Sequence, residues 1–396
     1  MIKRFITNRL QQEISEPEVC ILLGARQVGK TTLLKQLERY TRSQGETTSF
    51  FDLEQPDILS LYNQKDAEII HLLSHSGKVV FIDEFQYIKN ASKILKAIVD
   101  AGIKVKIYCS GSSSLAIHQH MKESLAGRRV RYLVYPLSYS EIKATHPSFT
   151  LKEYLRFGGM PGLRHAKNDE KKQQLLAELI SSYIIKDARS LVKEENIRAF
   201  NHLVYLLAER QGSMLSLHSL ANEINMSAPT VQRYLDILEE TYIGYRVFSY
   251  STNLGNELKK SYKIYLYDIG IRNVLLKDFS PIEVRQDKGA VWENFVFLKL
   301  KSTLKTNMDL RFWRTKKGDE VDFILLVDRK PLPIEVKSYL ASPEVPVGLK
   351  RFLSRYPKTS KAYVINENLN AKLVVQDCQV LFLTFEDFSA VNIESL

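Results

Sequence analysis

Gly24-Ala25-Arg26-Gln27-Val28-Gly29-Lys30-Thr31 carries two glycines, a lysine and a hydroxyl residue at the offsets of a phosphate-cradling loop. The glycines let the backbone wrap a polyphosphate, so that successive N–H groups from Gly24 to Thr32 and the positive end of a following helix face the anion. Lys30 is expected to reach the β- and γ-phosphates of a nucleoside triphosphate, and Thr31 to hold Mg²⁺ through its hydroxyl. Further on, Val79-Val80-Phe81-Ile82-Asp83-Glu84 is an apolar run ending in two carboxylates. Asp83 is placed to accept from the Mg²⁺ water shell or from Thr31, and Glu84 to polarise an attacking water. A third run, Val105-Lys106-Ile107-Tyr108-Cys109, ends in Ser110-Gly111-Ser112-Ser113-Ser114. A hydroxyl there, with Ser112 the candidate, either contacts the γ-phosphate or caps a helix. Leu125-Ala126-Gly127-Arg128-Arg129 then supplies arginines for charge developing on the γ-phosphate, with Arg128 preferred over Arg129. Such a finger is worth roughly 10³–10⁵ in rate when correctly placed.

A second constellation occupies the last third of the chain. Glu293 lies in the helical run Gly289–Leu298, Asp322 in the strand-like run Glu320–Val327, and Glu335 and Lys337 in Leu332–Ser338. Strand alternation puts Glu335 and Lys337 on one face. Glu293, Asp322 and Glu335 are candidate Mg²⁺ ligands, and Lys337 could orient or deprotonate an attacking water. Arg311, Arg314, Lys316 and Lys317 precede Asp322 and could track a nucleic-acid backbone. The bland alternative is a hairpin with solvated charge pairs on its open face.

These residues need elements to hold them. Val19–Leu23 reads as a buried strand leading into the loop, and Leu34 and Leu37 follow it at helical spacing. Alternating strand and helix patterns predict a P-loop parallel-sheet α/β domain over 1–150. Glycines and a proline in Tyr154–Gly162 interrupt that pattern. Over 151–275 the expectation is a helical and winged-helix domain, beginning with a helix across Glu170–Lys193. Its core faces are Leu203, Leu206 and Leu207, then Leu217, Leu220, Ala221 and Ile224, then Val231, Leu235 and Leu238. Asn225-Met226-Ser227 is the turn, with Ser227 as N-cap and Pro229 in the next first turn. Thr230, Gln232, Arg233 and Asp236 are expected outward, and Tyr245–Tyr250 and Tyr262–Tyr267 as the wing strands. Residues 276–396 are expected to form an α/β restriction-endonuclease-like domain.

The series Gly24–Thr32, Phe51-Asp52-Leu53-Glu54, Ile82-Asp83-Glu84 and Ser124-Leu125-Ala126-Gly127-Arg128 resembles AAA-type P-loop ATPases of bacteria and archaea that carry a C-terminal domain of unknown function. Asp322, 13 positions before Glu335-x-Lys337, resembles the PD-(D/E)xK nuclease superfamily. The resemblances imply ATP and Mg²⁺ as cofactors, and an ATPase whose nucleotide state governs a nuclease-like module. That module would either cut DNA or serve as a non-cutting platform in a nucleotide switch.

Composition bounds the rest. The chain has 396 residues, 44% apolar and 26% charged, as in ordinary globular domains. Net charge is +11, which favours an anionic partner, with nucleic acid the first candidate; charge alone does not argue for DNA. Acidic Asp236, Glu239 and Glu240 on the third helix oppose its seating against phosphate. Cys20, Cys109 and Cys378 form neither a disulfide framework nor a metal spacing, and a reducing cytoplasm is expected. Met1–Ile6 lacks a signal-peptide core and, with Ile2, Phe5, Ile6 and Leu10, reads as a short amphipathic helix. No run is long enough for a membrane span. A finger from Arg128 acting in trans would require a homo-oligomer.

Overall fold

Parallel strands cannot be joined by tight turns, so each apolar strand of the first third is followed by a crossover, mostly helical. The computed structural model describes residues 2–112, 125–183, 196–251 and 262–393. They fall into two compact units. The first comprises Met1–Leu137 together with Met160–Arg164 and Asp236–Ile243. Its strands are β1 (Val19–Gly24), β2 (Thr48–Asp52), β3 (Val79–Asp83), β4 (Lys106–Ser112) and β5 (Arg129–Leu133). They form one parallel sheet in the order β2-β3-β4-β1-β5. Parallel register sets Gly24 level with Ser112, and Ile82 level with Cys109. The loop after β1, the carboxylates after β3 and the serines ending β4 therefore share one sheet edge.

β4 runs three residues further than its apolar stretch predicts. Ser110 stays in a central strand because Asp83 accepts its hydroxyl, and Gly111 leaves room for Phe85 and Gln86 to pack close. The N-terminal helix covers only Thr7–Gln12. Leu10 is buried there, while Phe5 lies outside it and is 61% exposed. Ser113, Ser114 and Ser124 lie outside the described residues, as does the stretch of the expected helix beyond Tyr183, including Ile184–Asp187.

The second unit comprises Ser138–Gly159, His165–Leu235 and Gly244–Leu396. Helices Ile197–Glu209 and Leu217–Glu223 bury Leu203, Leu206, Leu207, Leu220 and Ala221. Ser227 caps the helix Ala228–Glu240 by accepting from Thr230 N–H at 3.3 Å. Only Arg233 of the four residues expected outward is fully exposed; Thr230, Gln232 and Asp236 are half-buried. The helix end from Asp236 onward groups with the first unit, and Tyr242 packs on that unit's core.

Strands β6 (Met214–Leu215), β7 (Gly244–Phe248) and β8 (Tyr262–Leu266) make a sheet in the order β6-β8-β7. Every residue of β8 is buried, so it has no solvent face as a wing strand would. A six-stranded mixed sheet follows, built from β9 (Met308–Arg314), β10 (Glu320–Val327), β11 (Lys330–Val336), β12 (Lys361–Asn366), β13 (Ala371–Val375) and β14 (Cys378–Thr384). Its order is β13-β14-β12-β11-β10-β9. The helix Lys288–Ser302 precedes this sheet, and Trp313, Val321, Ile324, Leu349, Phe352 and Val364 build a core on it. Among the described residues, no helix is long and apolar enough to cross a membrane.

Candidate functional site

Gly24 ends β1 at φ +151°, and a Cβ there would press on the Val134 carbonyl. Only glycine fits that approach. Gln27 and Gly29 also have positive φ, at +58° and +94°, and curl the loop before the helix Lys30–Ser43 begins. Lys30 is 5% exposed, and its ammonium donates to the carbonyls of Gly24 at 3.0 Å and Ala25 at 2.8 Å. The loop formed by Ala25, Arg26, Gln27 and Val28 thus has its lysine folded over it, at the start of a helix whose first N–H groups have no intrahelical acceptor. This donor set fits a polyphosphate. Arg4 adds a contact without a sequence signal. Its guanidinium donates to Val28 O at 3.0 Å and Tyr135 O at 2.6 Å, tying the loop to the chain beyond β5. Arg4→Ala is expected to weaken ATP binding about tenfold. Turnover at saturating ATP should change only a few-fold, and titration with a fluorescent ATP analogue checks the affinity.

The carboxylates lie where β3 ends. Asp83 is 2% exposed and accepts hydrogen bonds from the hydroxyls of Ser110 and Thr31. Burial raises its pKa above the usual carboxylate value, with Glu84 and Asp52 adding to the rise, while the Ser110 and Thr31 bonds oppose it. Thr31 and Asp83 are the pair that would hold Mg²⁺. Glu84 adopts a left-handed backbone, φ +54° and ψ +44°. Its carboxylate accepts from the Gln86 amide and from Ser112 N–H at 3.3 Å. Gln86 also donates to the Ser112 hydroxyl at 3.2 Å. Ser112 therefore steers Glu84, while Ser110, not singled out from sequence, supports Asp83. Thr32 follows Thr31 in the helix's first turn.

Arg128 does not join this cluster. β5 runs parallel to β1 with Arg129 level with Val19, so Arg128 lies at the sheet edge opposite the phosphate loop. It is half-buried and paired with Asp100. In its own subunit it cannot reach the nucleotide, because the length of β1 separates them.

In the second unit Glu293, Asp322, Glu335 and Lys337 do come together. Glu335 is 5% exposed and accepts from Lys337 at 2.7 Å, while its Oε2 has no hydrogen-bond partner among the described residues. Asp322 accepts from Val336 N–H at 2.8 Å. Burial, reinforced by Asp322, holds the Glu335 carboxyl above the ordinary range. Burial also raises Glu293, against the pull of Lys263. Lys263 of β8 was not expected here. Its ammonium lies 2.6 Å from Glu320, 3.0 Å from Glu293 and 3.8 Å from Asp322. Burial alone would depress this ammonium, but Glu293, Asp322 and Glu320 outweigh it and keep it charged. Tyr265, two positions on along β8, donates its hydroxyl to Glu293. Arg311 and Arg314 are paired with Asp309 and Glu320, whereas Lys316 and Lys317 are exposed in the β9–β10 turn. Among the described residues, no three His, Cys, Asp or Glu side chains are arranged to hold a metal ion. The expected Mg²⁺ set of Glu293, Asp322 and Glu335 is thus not met as a metal cage.

Residues 16–143 match the AAA domain family. Residues 148–281 and 288–385 match two domains of unknown function, DUF8612 and DUF4143. An uncharacterized protein of Mycobacterium tuberculosis is 29% identical over 339 residues, spanning 85% of this chain and 74% of that one. One of Methanocaldococcus jannaschii is 24% identical over 396 residues, spanning 94% and 85%. Among solved structures, the replication initiator DnaA bound to AMPPCP and single-stranded DNA overlaps 59% of this chain and 86% of its own, at 13% identity and a TM-score of 0.31. That likeness is too slight to carry an argument. Winged-helix and nuclease-like readings rest on this chain's residues alone. With its phosphate loop, parallel sheet and family match, the first unit contains an AAA-type P-loop ATPase domain.

Proposed function

We propose that the chain binds ATP with Mg²⁺, hydrolyses it, and uses the nucleotide state to control a second unit that engages nucleic acid, DNA first. The observation that carries this reading is the Thr31–Asp83 hydrogen bond beside a Glu84 carboxylate held by Ser112 and Gln86. Gly24 to Thr32 would cradle the phosphates, Lys30 would neutralise the terminal ones, and Glu84 would take the proton of the attacking water. Thr31 and Asp83 would hold Mg²⁺, which when bound would supply electrophilic charge to the phosphates. Arg128, at the far sheet edge, would act as a finger only on a second copy, so full turnover would require self-association. The three buried free thiols suit a reducing, cytoplasmic setting.

The winged-helix and PD-(D/E)xK readings of the second unit belong to this proposal. Support comes from the helix–turn–helix elements with their Ser227 cap, and from Glu293, Asp322 and Glu335 converging from one helix and two strands, with Lys337 just past the second strand. The switch reading is favoured over DNA cutting by the position of Lys263 among those carboxylates. Phosphate release from ATP, with Mg²⁺ or EDTA and with or without single-stranded or duplex DNA, tests the proposal. Mg²⁺-dependent release that responds to DNA is expected; its absence under every condition rejects the reading.

A further inference from the structure

Magnesium takes six oxygen ligands at about 2.0–2.1 Å in near-octahedral geometry. The carboxylates of the second unit are already committed elsewhere. Glu293 Oε1 accepts from Lys263 at 3.0 Å and from Tyr265, and its Oε2 faces the backbone of Gly212, where a Cβ would come within 3.0 Å. Glu320 accepts from Lys263 at 2.6 Å through Oε1 and from Arg314 at 2.8 Å through Oε2. Asp322 Oδ2 is taken by Val336 N–H and Glu335 Oε1 by Lys337. Glu293 Oε2, Asp322 Oδ1 and Glu335 Oε2 are left; Mg²⁺ can be held by one or two carboxylates with water completing its shell, so what stands against it here is the Lys263 ammonium, 3.0 Å from Glu293 and 3.8 Å from Asp322 Oδ1.

Lys263 has little freedom to leave. β8 is hydrogen-bonded on both sides, with Lys263 opposite Met214 on β6 and Val247 on β7. Its side chain is 2% exposed, and the ammonium sits 5.5 Å over the Phe312 ring. An ammonium so placed also has a strong electrostatic reason to stay, since a buried charge is tolerated only when paired.

We infer that Lys263 is the resident cation of this carboxylate cluster, standing where a divalent metal would have to sit, so that the C-terminal module neither takes Mg²⁺ there nor cuts phosphodiester bonds with a metal-activated water. The inference concerns the second unit alone and does not depend on ATP turnover, so its failure and that of the ATPase reading are distinguishable.

The test is Mn²⁺ titration of the nucleotide-free full chain, followed by the paramagnetic resonance of free Mn²⁺, with thermal midpoints and DNA cleavage measured alongside. Wild type and Asp322→Asn are expected to bind Mn²⁺ identically and to cut neither single-stranded nor duplex DNA. Lys263→Ala is expected to lose roughly 10 °C in thermal midpoint, because several buried carboxylates lose their counter-ion. Mn²⁺ should restore part of that loss, and restore none of it in Lys263→Ala/Asp322→Asn. Should Lys263→Ala fail to fold, Lys263→Met/Glu293→Gln removes the cation together with one charge and is expected to fold with a midpoint within a few degrees of wild type. A wild-type Mn²⁺ site removed by Asp322→Asn, metal-dependent DNA cutting lost in that variant, or an unchanged midpoint in Lys263→Ala overturns the inference.

Discussion

Lys30→Ala is expected to lower ATP turnover by about 10²–10³-fold, the usual cost of removing one preorganised electrostatic contact from a transition state. Lys30 is buried at the start of its helix, with its ammonium already held against the Gly24 and Ala25 carbonyls. Little reorganisation is therefore needed for it to meet a phosphate. Alanine removes the charge from a site where water is largely excluded and screening is weak. Lys30→Arg is not expected to rescue, because a planar guanidinium cannot enter a pocket sized for a compact ammonium. The helix Lys30–Ser43 is anchored by Leu33, Leu34 and Leu37, so the variant should keep its fold, which circular dichroism checks. Phosphate release measured from both variants decides the matter. A wild-type rate in Lys30→Ala would reject the phosphate loop as the hydrolytic site.

What could be read from sequence follows from how locally each feature is encoded. The phosphate loop is legible because its chemistry is backbone chemistry, and Gly24, Gly29, Lys30 and Thr31 announce it at fixed offsets. Asp83 and Glu84 are legible because a strand end places them. Arg4 carries no signal, since its partners Val28 and Tyr135 are met only through the tertiary fold. Whether Arg128 could act in cis is hidden for a related reason. A Gly-Arg step names an arginine but does not say at which end of the sheet it falls, and parallel register with β1 puts it at the end away from its own phosphate loop. Lys263 is the most instructive omission. One lysine in the run Tyr262–Tyr267 reads as the wet side of a wing strand, yet β8 is buried throughout. The lone charged residue in an apolar strand was the available clue, because such a lysine must find carboxylates when the strand is buried. Glu293, Asp322 and Glu335 are legible as a set, but Lys263, which pairs with Glu293 and Glu320, comes from a different sheet.

Glu84→Gln should separate nucleotide binding from hydrolysis. A glutamine fills the same volume and can still accept from Ser112 N–H, so the end of β3 keeps its shape. It has no basic oxygen to take a proton from water. Turnover is expected to fall by about 10²–10⁴-fold, the range for loss of a general base, with ATP affinity changed less than threefold. Asp83→Asn is the contrasting case. Asp83 bonds to Thr31 and Ser110 where Mg²⁺ is proposed to bind, so its loss should raise the Mg²⁺ concentration needed for ATP binding. The left-handed backbone of Glu84 recurs at turn residues such as Asp328 and Gln376, so its role is argued from its carboxylate's contacts with Ser112 and Gln86. If Glu84 were only a turn residue, Glu84→Gln would hydrolyse ATP at the wild-type rate. If it is the base, the variant accumulates as the ATP-bound form. DNA affinity of that trapped form, compared with the nucleotide-free chain, then measures the coupling between ATP and nucleic acid directly. A ratio near one would leave an ATPase whose cycle does not govern DNA binding, and a ratio of ten or more would establish the switch.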